Sequence, residues 1–437
     1  MTTSPIRSTK SASSTNDCLK DRKDRLMELE PSLREKPDYD RLVVVLGDVE
    51  MGAGGPFDDF PHSEFLARLL LPYLTGETAD HPIDFVFNGD TFDLLKTPYL
   101  GEYRRHITNE VALGKMAAVA AAHPKFFDAI GKLADFPAGD KRVHFVIGNH
   151  DPELLFPKVQ NFVRARCGGA ERLAFPGFSL ALGPVFCEHG SQSDPLFRIN
   201  PDRPFIDHRG ERLLNISWAS IALLDIALPF QPLLYFHDRL KPRDVLIELL
   251  PEIRELLVGQ AWKYWTRDFW RDFLKQKDPL LRLNWTMVKE VVRRFTTNDT
   301  DVSFSKTWLA ETVDKNPQRL FVTGHLHWTG SEFHREKRVL QLGCFRDEFL
   351  IVDAGRALRP ILKPYVEIYL KDERIVQIVT VEIQGPALPS EAFPPSITDV
   401  VPQLRALIDE LGDHARDEAA RKKQEAADAK EKNADGK

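Results

Sequence analysis

The chain has 437 residues, of which 43% are hydrophobic and 28% charged, with a formal net charge of −6. That balance excludes a wholly disordered chain, a collagen-like fibre and a low-complexity repeat, and the acidic sum argues against a protein that coats nucleic acid. The length corresponds to about two to three ordinary domains, or to one large domain with additions.

Residues 1–38 read as a flexible lead with one short charged helix over Asp17 to Leu33. Residues 1–40 hold no apolar core of a secretory signal, so the expected location is cytoplasmic. From Arg41 onward short apolar runs alternate with longer amphipathic stretches, the pattern of an α/β domain. Strands are expected at Leu42–Leu46, Ile83–Phe87, Val143–Ile147, Phe178–Leu182, Pro184–Glu188 and Leu320–Thr323, and helices at Ser63–Leu74, Asn109–Leu133 and Pro152–Arg166. Residues 338–383 read as four strands, Val339–Leu342, Leu350–Val352, Tyr365–Leu370 and Ile375–Ile383, with a hairpin loop at Lys371-Asp372-Glu373-Arg374 between the last two. Cys18, Cys167, Cys187 and Cys344 are scattered without a CxxC pair, which predicts free thiols in a reducing compartment.

Between about residues 196 and 316 the texture becomes helical and aromatic. Six of the seven tryptophans lie here: Trp218, Trp262, Trp265, Trp270, Trp285 and Trp308. Within Gln260–Lys275, Trp262, Trp265 and Phe269 share a helical face, with Tyr264 on another. Ile216 to Phe236 is long enough to cross a bilayer, but Asp225 near its centre would cost about 3 kcal/mol or more there. The expected form is a buried helix ending at Pro229, with an apolar surface meeting a membrane or lipid tail as the sharper alternative. The divisions are therefore 1–38, a core at 39–195, an inserted helical cap at 196–316, a second core part at 317–400, and a charged helix or disordered tail at 401–437. Residues 411–437 have almost no large apolar side chain.

Five segments stand at the ends of expected strands: Gly47-Asp48-Val49-Glu50, Gly89-Asp90-Thr91-Phe92-Asp93, Gly148-Asn149-His150-Asp151, Glu188-His189-Gly190 and Gly324-His325-Leu326-His327. Strand C-termini are where α/β sheets place their sites. Carboxylates, an amide oxygen and imidazoles form a mixed nitrogen and oxygen set, suited to Mn²⁺, Fe or Zn²⁺ and not to a thiolate site.

This order of motifs resembles the calcineurin-like metallophosphoesterase superfamily, whose pattern runs D-x-H, G-D-x-x-D, G-N-H-[DE], H-G and G-H-x-H. The resemblance covers roughly residues 41–195 and 318–383. It implies a two-sheet β-sandwich flanked by helices, and two divalent ions about 3.5–4 Å apart with a bridging hydroxide that attacks a phosphodiester or pyrophosphate. It implies that Asp48, Asp90 and His327 bind the first ion, and that Asp90, Asn149, His189 and His325 bind the second. His150 would stabilise phosphoryl charge or act as general acid, oriented by Asp93 or Asp151. The chain departs at one place: Glu50 stands where the family has histidine. As a ligand, Glu50 would bias the first site toward Mn²⁺ or Mg²⁺; otherwise that site is weakened.

Asp93 is followed by Leu94-Leu95, unlike the Arg-Gly of the superfamily's protein phosphatases. The GD-x-F-D form, the Ser191-Gln192-Ser193-Asp194 segment and the aromatic insertion look more like the UDP-2,3-diacylglucosamine pyrophosphohydrolases. The expected substrate is small or lipid-linked, the expected cofactors are two divalent ions with Mn foremost and Fe, Zn or Mg as alternatives, and the apolar stretch within the cap allows peripheral lipid contact. Arg198 and Trp328 are the substrate contacts expected at its rim, with Arg203, Arg209 and Arg212 close to Arg198 in the chain. The rival readings are a nuclease or nucleotide phosphodiesterase on the same fold, and a scaffold protein whose catalysis Glu50 has weakened.

Overall fold

The computed structural model describes residues 37–281, 289–290, 309–352, 357–386, 388 and 393–411. The expected helix at Asp17 to Leu33, Cys18, Trp285, Trp308 and residues 412–437 lie outside them. In chain order the elements that frame the core are β1 (Arg41–Leu46), α1 (Ser63–Leu70), β2 (Ile83–Asn88), α2 (Asn109–Ala122), α3 (Pro124–Ala134), β3 (Lys141–Val146), α4 (Pro157–Arg166), β4 (Leu173–Gly177), β5 (Ser179–Leu182) and β6 (Val185–Glu188). The insertion follows, with β7 (Phe205–His208), β8 (Glu211–Leu214), a helical run α5 (Trp218–Arg239), β9 (Leu240–Lys241), α6 (Arg243–Leu249) and α7 (Pro251–Lys263). The chain then returns through β10 (Leu320–Thr323), β11 (Gly330–His334), β12 (Lys337–Gln341), β13 (Phe349–Val352), β14 (Ala357–Pro360), β15 (Lys363–Lys371), β16 (Arg374–Ile383) and a final helix α8 at 397–411.

A six-stranded sheet runs β16-β15-β1-β2-β3-β4, and a five-stranded sheet runs β11-β12-β10-β6-β5. The inner strands β1, β2 and β3 pair in parallel, as do β6, β10 and β12. Strand alternation sorts the side chains of β1 to β3. Leu42, Val44, Leu46, Phe85, Phe87 and Phe145 face the helices, where Leu66, Met116, Phe126, Phe127 and Ile130 cover them. Val43, Val45, Val86 and Val146 face the other way and share one core with Val185, Cys187, Leu320, Val322 and Leu340 of the second sheet. Both faces of β1 to β3 are thus buried, which is why these strands read as continuous apolar runs.

Most expected core elements are present within one to three residues at their ends. The two-residue loop Asp372-Glu373 closes β15 onto β16 with positive φ at both positions, as a tight hairpin requires. Prolines cut the expected helices. Asn109–Leu133 is two helices, because Pro124 offers no N–H and pushes His123 out of the helical region (φ −120°, ψ 47°). Pro157 likewise separates α4 from a 3₁₀ turn at Pro152–Leu155, and the α-helix expected to Leu74 becomes 3₁₀ after Leu70, around Pro72. The edge strand β4, which carries Pro176, and the polar, half-solvated β11 have no expected counterpart.

The insertion is not wholly helical: it opens with the β7–β8 hairpin, turned at Arg209-Gly210 with both φ values positive. Nor does its apolar helix end at Pro229. α5 passes that proline by changing winding, with π-turns over Leu223–Ala227 and a 3₁₀ turn at Leu228–Phe230 before regular helix resumes at Gln231. Its apolar window is 39% buried, so it is not a fully enclosed core helix. α7 also continues through π-turns at Tyr264–Asp268 and Arg271–Gln276. The wider turns rotate its faces, so Tyr264 packs inward with Trp265 and Phe269 while Trp262 stands outside. α8 crosses residue 400 and docks Ile397, Val400, Leu404 and Ile408 onto Leu233, Phe236, Leu246 and Ile253 of the insertion. Cys167, Cys187 and Cys344 are buried free thiols.

Candidate metal centre

Each of the five Gly-containing segments leaves the end of a buried strand, and the turns converge. Asp48, Glu50, Asp90, His325 and His327 all have positive φ, between 49° and 73°. This region is costly for side-chain-bearing residues, and its concentration at five ligand-type residues marks a site at which the surrounding fold holds strain. Two glycines make the approach possible. A Cβ on Gly148 would lie 2.0 Å from Asp90 Oδ1, and one on Gly324 would lie 2.3 Å from Asp48 Oδ2.

Two imidazoles have the same arrangement. His189 Nδ1 donates to the Asn88 carbonyl (3.1 Å), which turns Nε2 toward Asp90 Oδ2 at 3.0 Å and Asn149 Oδ1 at 3.1 Å. His327 Nδ1 meets Glu348 Oε1 at 3.0 Å, which turns Nε2 toward Asp48 Oδ1 at 3.3 Å and Glu50 Oε1 at 3.4 Å. An outer acceptor on Nδ1, with Nε2 aimed among ligand oxygens, is the usual setting of a metal-binding histidine. Asp90, His189 and His325 form one group with the spacing to hold an ion, Glu50, Asp93 and His150 form another, and His327, Cys344 and Glu348 form a third. The rings of His189 and His325 are 5.3 Å apart. Asp48 is also held by the His325 amide (3.1 Å). The donor set therefore fits divalent cations bound by nitrogen and oxygen.

Burial disfavours a charged His189, but Asp90 and Asp48 outweigh it and raise its pKa to about 9. Burial likewise opposes a charged His150, yet Asp90, Glu50 and Asp93 raise it to about 10. His150 Nδ1 lies 2.9 Å from Asp93 Oδ1, and its amide donates to Asp90 Oδ1 at 2.7 Å. Asp151 instead accepts from the amides of Gly148 (2.7 Å) and Thr91 (2.8 Å), tying the turns together. Burial and the Asp90 charge push its carboxyl up to about 7. Asp93, not Asp151, is the residue that orients His150.

Glu50 is 1% exposed and lies between the buried Arg346 and the half-buried Lys96. Arg346 reaches both its oxygens at 3.3 Å, and Lys96 reaches Oε2 at 3.1 Å. Burial works against the charged carboxylate, but Arg346 and Lys96 more than offset it and hold Glu50 well below the usual carboxylate range. The network continues outward. Arg346 also binds Glu348 (2.9 Å) and the Asp238 carbonyl (2.9 Å), Lys96 pairs with Asp59 and Asp93, and Arg239 joins Asp59 at 2.6 Å. Asp238 and Arg239 belong to α5, so the insertion is fastened to the Glu50 side of the site. Sequence reasoning missed Arg346, Lys96, Glu348, Asp59 and Arg239. The signal was a run of charges, Arg346-Asp347-Glu348, inside an otherwise apolar strand context.

The two expected substrate contacts stand farther out. Arg198 is largely exposed and donates to the Gln192 carbonyl (2.5 Å), with Glu311 at 3.8 Å. Its neighbour Phe197 stacks edge-on with His325 at 4.9 Å. The Trp328 ring lies over Gly330 and is partly exposed. An open cleft of about 710 Å³, bordered by Tyr103, Arg105, Asp225, Tyr264 and Asp272, shares no residue with the candidate ligand cluster.

No protein-family model matches the chain, and no curated protein matches it. Among solved structures it is similar to the Thermus thermophilus sulfate thiohydrolase SoxB in complex with glycerol, at a TM-score of 0.28 and 11% identity, covering 87% of this chain. The chain spans 62% of the length of that protein. A likeness so distant carries no argument about activity.

Proposed function

We propose that the chain is a metal-dependent phosphohydrolase of the calcineurin-like metallophosphoesterase type, cleaving a phosphodiester or pyrophosphate bond in a small or lipid-linked substrate. The observation that carries this reading is the paired arrangement of His189 and His327, each held at Nδ1 from outside and aimed through Nε2 into carboxylate and amide oxygens. The core shared by the two larger sheets supports reading them as the layers of one β-sandwich.

In this reading Asp48, Glu50, Asp90 and His327 hold a first divalent ion, and Asp90, Asn149, His189 and His325 hold a second. Bound ions would supply Lewis acidity, which makes water a nucleophile near neutral pH and offsets phosphoryl charge. The carboxylate-rich first set favours Mn²⁺ over Zn²⁺ or Fe. His150, held at Nδ1 by Asp93, would stabilise charge on the phosphoryl group and could give a proton to the leaving oxygen. Arg198 and Trp328 would meet substrate at the rim. A second reading, a scaffold with weakened catalysis, draws on the clamping of Glu50 between Lys96 and Arg346.

The test is a substrate panel with Mn²⁺: a nucleotide-sugar pyrophosphate, its lipid-acylated form, a phosphomonoester and single-stranded DNA. Turnover of the pyrophosphates above the others supports the reading. Salt-sensitive cleavage of DNA alone would replace it with a nuclease. No turnover together with no bound metal would replace it with the scaffold.

A further inference from the structure

The helical run from Pro251 to Gln276 carries two adjacent lines of exposed side chains. Val258, Trp262, Thr266, Trp270 and Leu274 recur at every fourth residue, and Lys263, Arg267, Arg271 and Lys275 each follow a member of that line by one residue. Val258 is 49% exposed, Trp262 72%, Trp270 43% and Leu274 61%, and the four cations are exposed as well. Regular α-turns would carry a four-residue spacing steadily round the helix, whereas wider π-turns carry it back. A helix that mixes the two, as this one does, keeps such a spacing on one side. Among the described residues, five of the nine large hydrophobic residues that stand exposed lie between Leu249 and Leu274, so the patch is concentrated and not scattered.

The charge beside this ridge runs against the charge of the whole chain. Asp268 pairs with Arg271 at 2.8 Å, and Asp272 pairs with Arg271 at 2.8 Å and with Arg105 at 3.1 Å. Among the described residues Lys263, Arg267 and Lys275 have no ion-pair partner, and they point outward beside the tryptophans. Tryptophan favours the headgroup level of a bilayer, and Lys and Arg stems lie along apolar surface while their charges reach phosphates. Protein interfaces, by contrast, are depleted of lysine.

We propose that this ridge docks the protein onto an anionic lipid bilayer, with the helix lying in the plane of the interface. Crossing the bilayer is disfavoured by how the insertion is tied down. Asp225 of α5 pairs with Arg105 at 2.5 Å, and Arg105 also holds Asp272 and Asp278 (2.8 Å), so both helices are fastened to the loop before α2. Trp218 of α5 stacks on Trp265 at 6.1 Å, which sets α5 beside the ridge helix. The other end of α5 delivers Arg239 to Asp59 at the metal centre. The docking surface stands independently of the phosphohydrolase reading, since vesicle binding is measured without turnover.

The experiment is co-sedimentation of the full chain with phosphatidylcholine vesicles, with and without about one-third phosphatidylglycerol. Wild type should bind the anionic vesicles and leave the neutral ones, and added salt should weaken that binding. The triple variant Lys263→Glu, Arg267→Glu, Lys275→Glu should lose roughly 100-fold or more in partitioning, at about fivefold for each cation removed. Trp262→Ser with Trp270→Ser should also release the protein, with circular dichroism and melting unchanged. Equal binding by wild type and both variants would overturn the proposal. So would the absence of vesicle binding, or a dimer in sedimentation that the tryptophan variant dissolves, since the ridge would then serve self-association.

Discussion

Glu50→Gln, Arg346→Met and the double variant form a cycle that separates a compensated ligand from an ordinary structural ion pair. In wild type the Arg346 guanidinium meets both Glu50 oxygens at 3.3 Å and is 4% exposed. Removing one member of a buried pair costs about 3–5 kcal/mol when the survivor is left alone. Neither survivor is alone here: Arg346 keeps Glu348 at 2.9 Å, and Glu50 keeps Lys96 at 3.1 Å. Each single change should therefore cost about 2–3 kcal/mol, and the double about 3, leaving a coupling near 2 kcal/mol. Urea unfolding with divalent ions chelated reads these values. Metal content after Mn²⁺ loading gives the second axis. Glu50→Gln should fall from two ions toward one, because Asp48, Asp90 and His327 remain with one carboxylate fewer, whereas Arg346→Met should keep two. Additivity within about 0.5 kcal/mol, or unchanged metal content in Glu50→Gln, would refute the argument that Glu50 is a ligand neutralised from behind.

Gly148→Ala places a methyl 2.0 Å from Asp90 Oδ1 and should cost about 1–3 kcal/mol and lower metal occupancy, while Gly259→Ala, in α7 with nothing within 4 Å, should raise the melting temperature slightly. Melting curves with metal analysis distinguish the two, and equal behaviour would contradict the packing argument. Burial pushes the Asp278 carboxyl upward, but the hydrogen bonds from His106 and the Leu280 amide, with the Arg105 charge, bring it down to about 2. A depressed folded pKa contributes stability above the unfolded value near 4 and loses it as pH falls toward 2. Allowing for solvent screening of this partly open cluster, Asp278→Asn should remove about 1 kcal/mol at neutral pH and flatten the stability loss between pH 4 and 2. An unchanged acid profile would show that the Arg105 knot does not depend on the Asp278 charge.

What the sequence revealed and what it hid follow from local and long-range physics respectively. β1, β2 and β3 were legible because burial on both faces makes them unbroken apolar runs, and the ligand-type residues were legible because each sits on a Gly-containing turn directly after such a run. β4 and β11 were obscure because an edge strand tolerates Pro176 or a solvated polar face. Pro124 and Pro157 stood in plain view as helix breakers, but the apolar periodicity continues across both. The faces of the ridge helix depend on π-turns, which leave no mark in a periodicity that assumes regular winding, and so Trp262 was grouped on one face with Trp265 and Phe269. The clamp on Glu50 was beyond local reading, since its partners Lys96 and Arg346 lie 46 and 296 residues away.

The central claim is tested most directly by hydrolysis of bis(p-nitrophenyl) phosphate, with Mn²⁺ supplied or chelated, by wild type and Asp90→Asn. Asparagine keeps the oxygen that accepts the His150 amide, so the variant should fold as wild type does. The account expects Mn²⁺-dependent cleavage of the diester by wild type and none by the variant. Cleavage that survives in Asp90→Asn, or that ignores chelation, would contradict it.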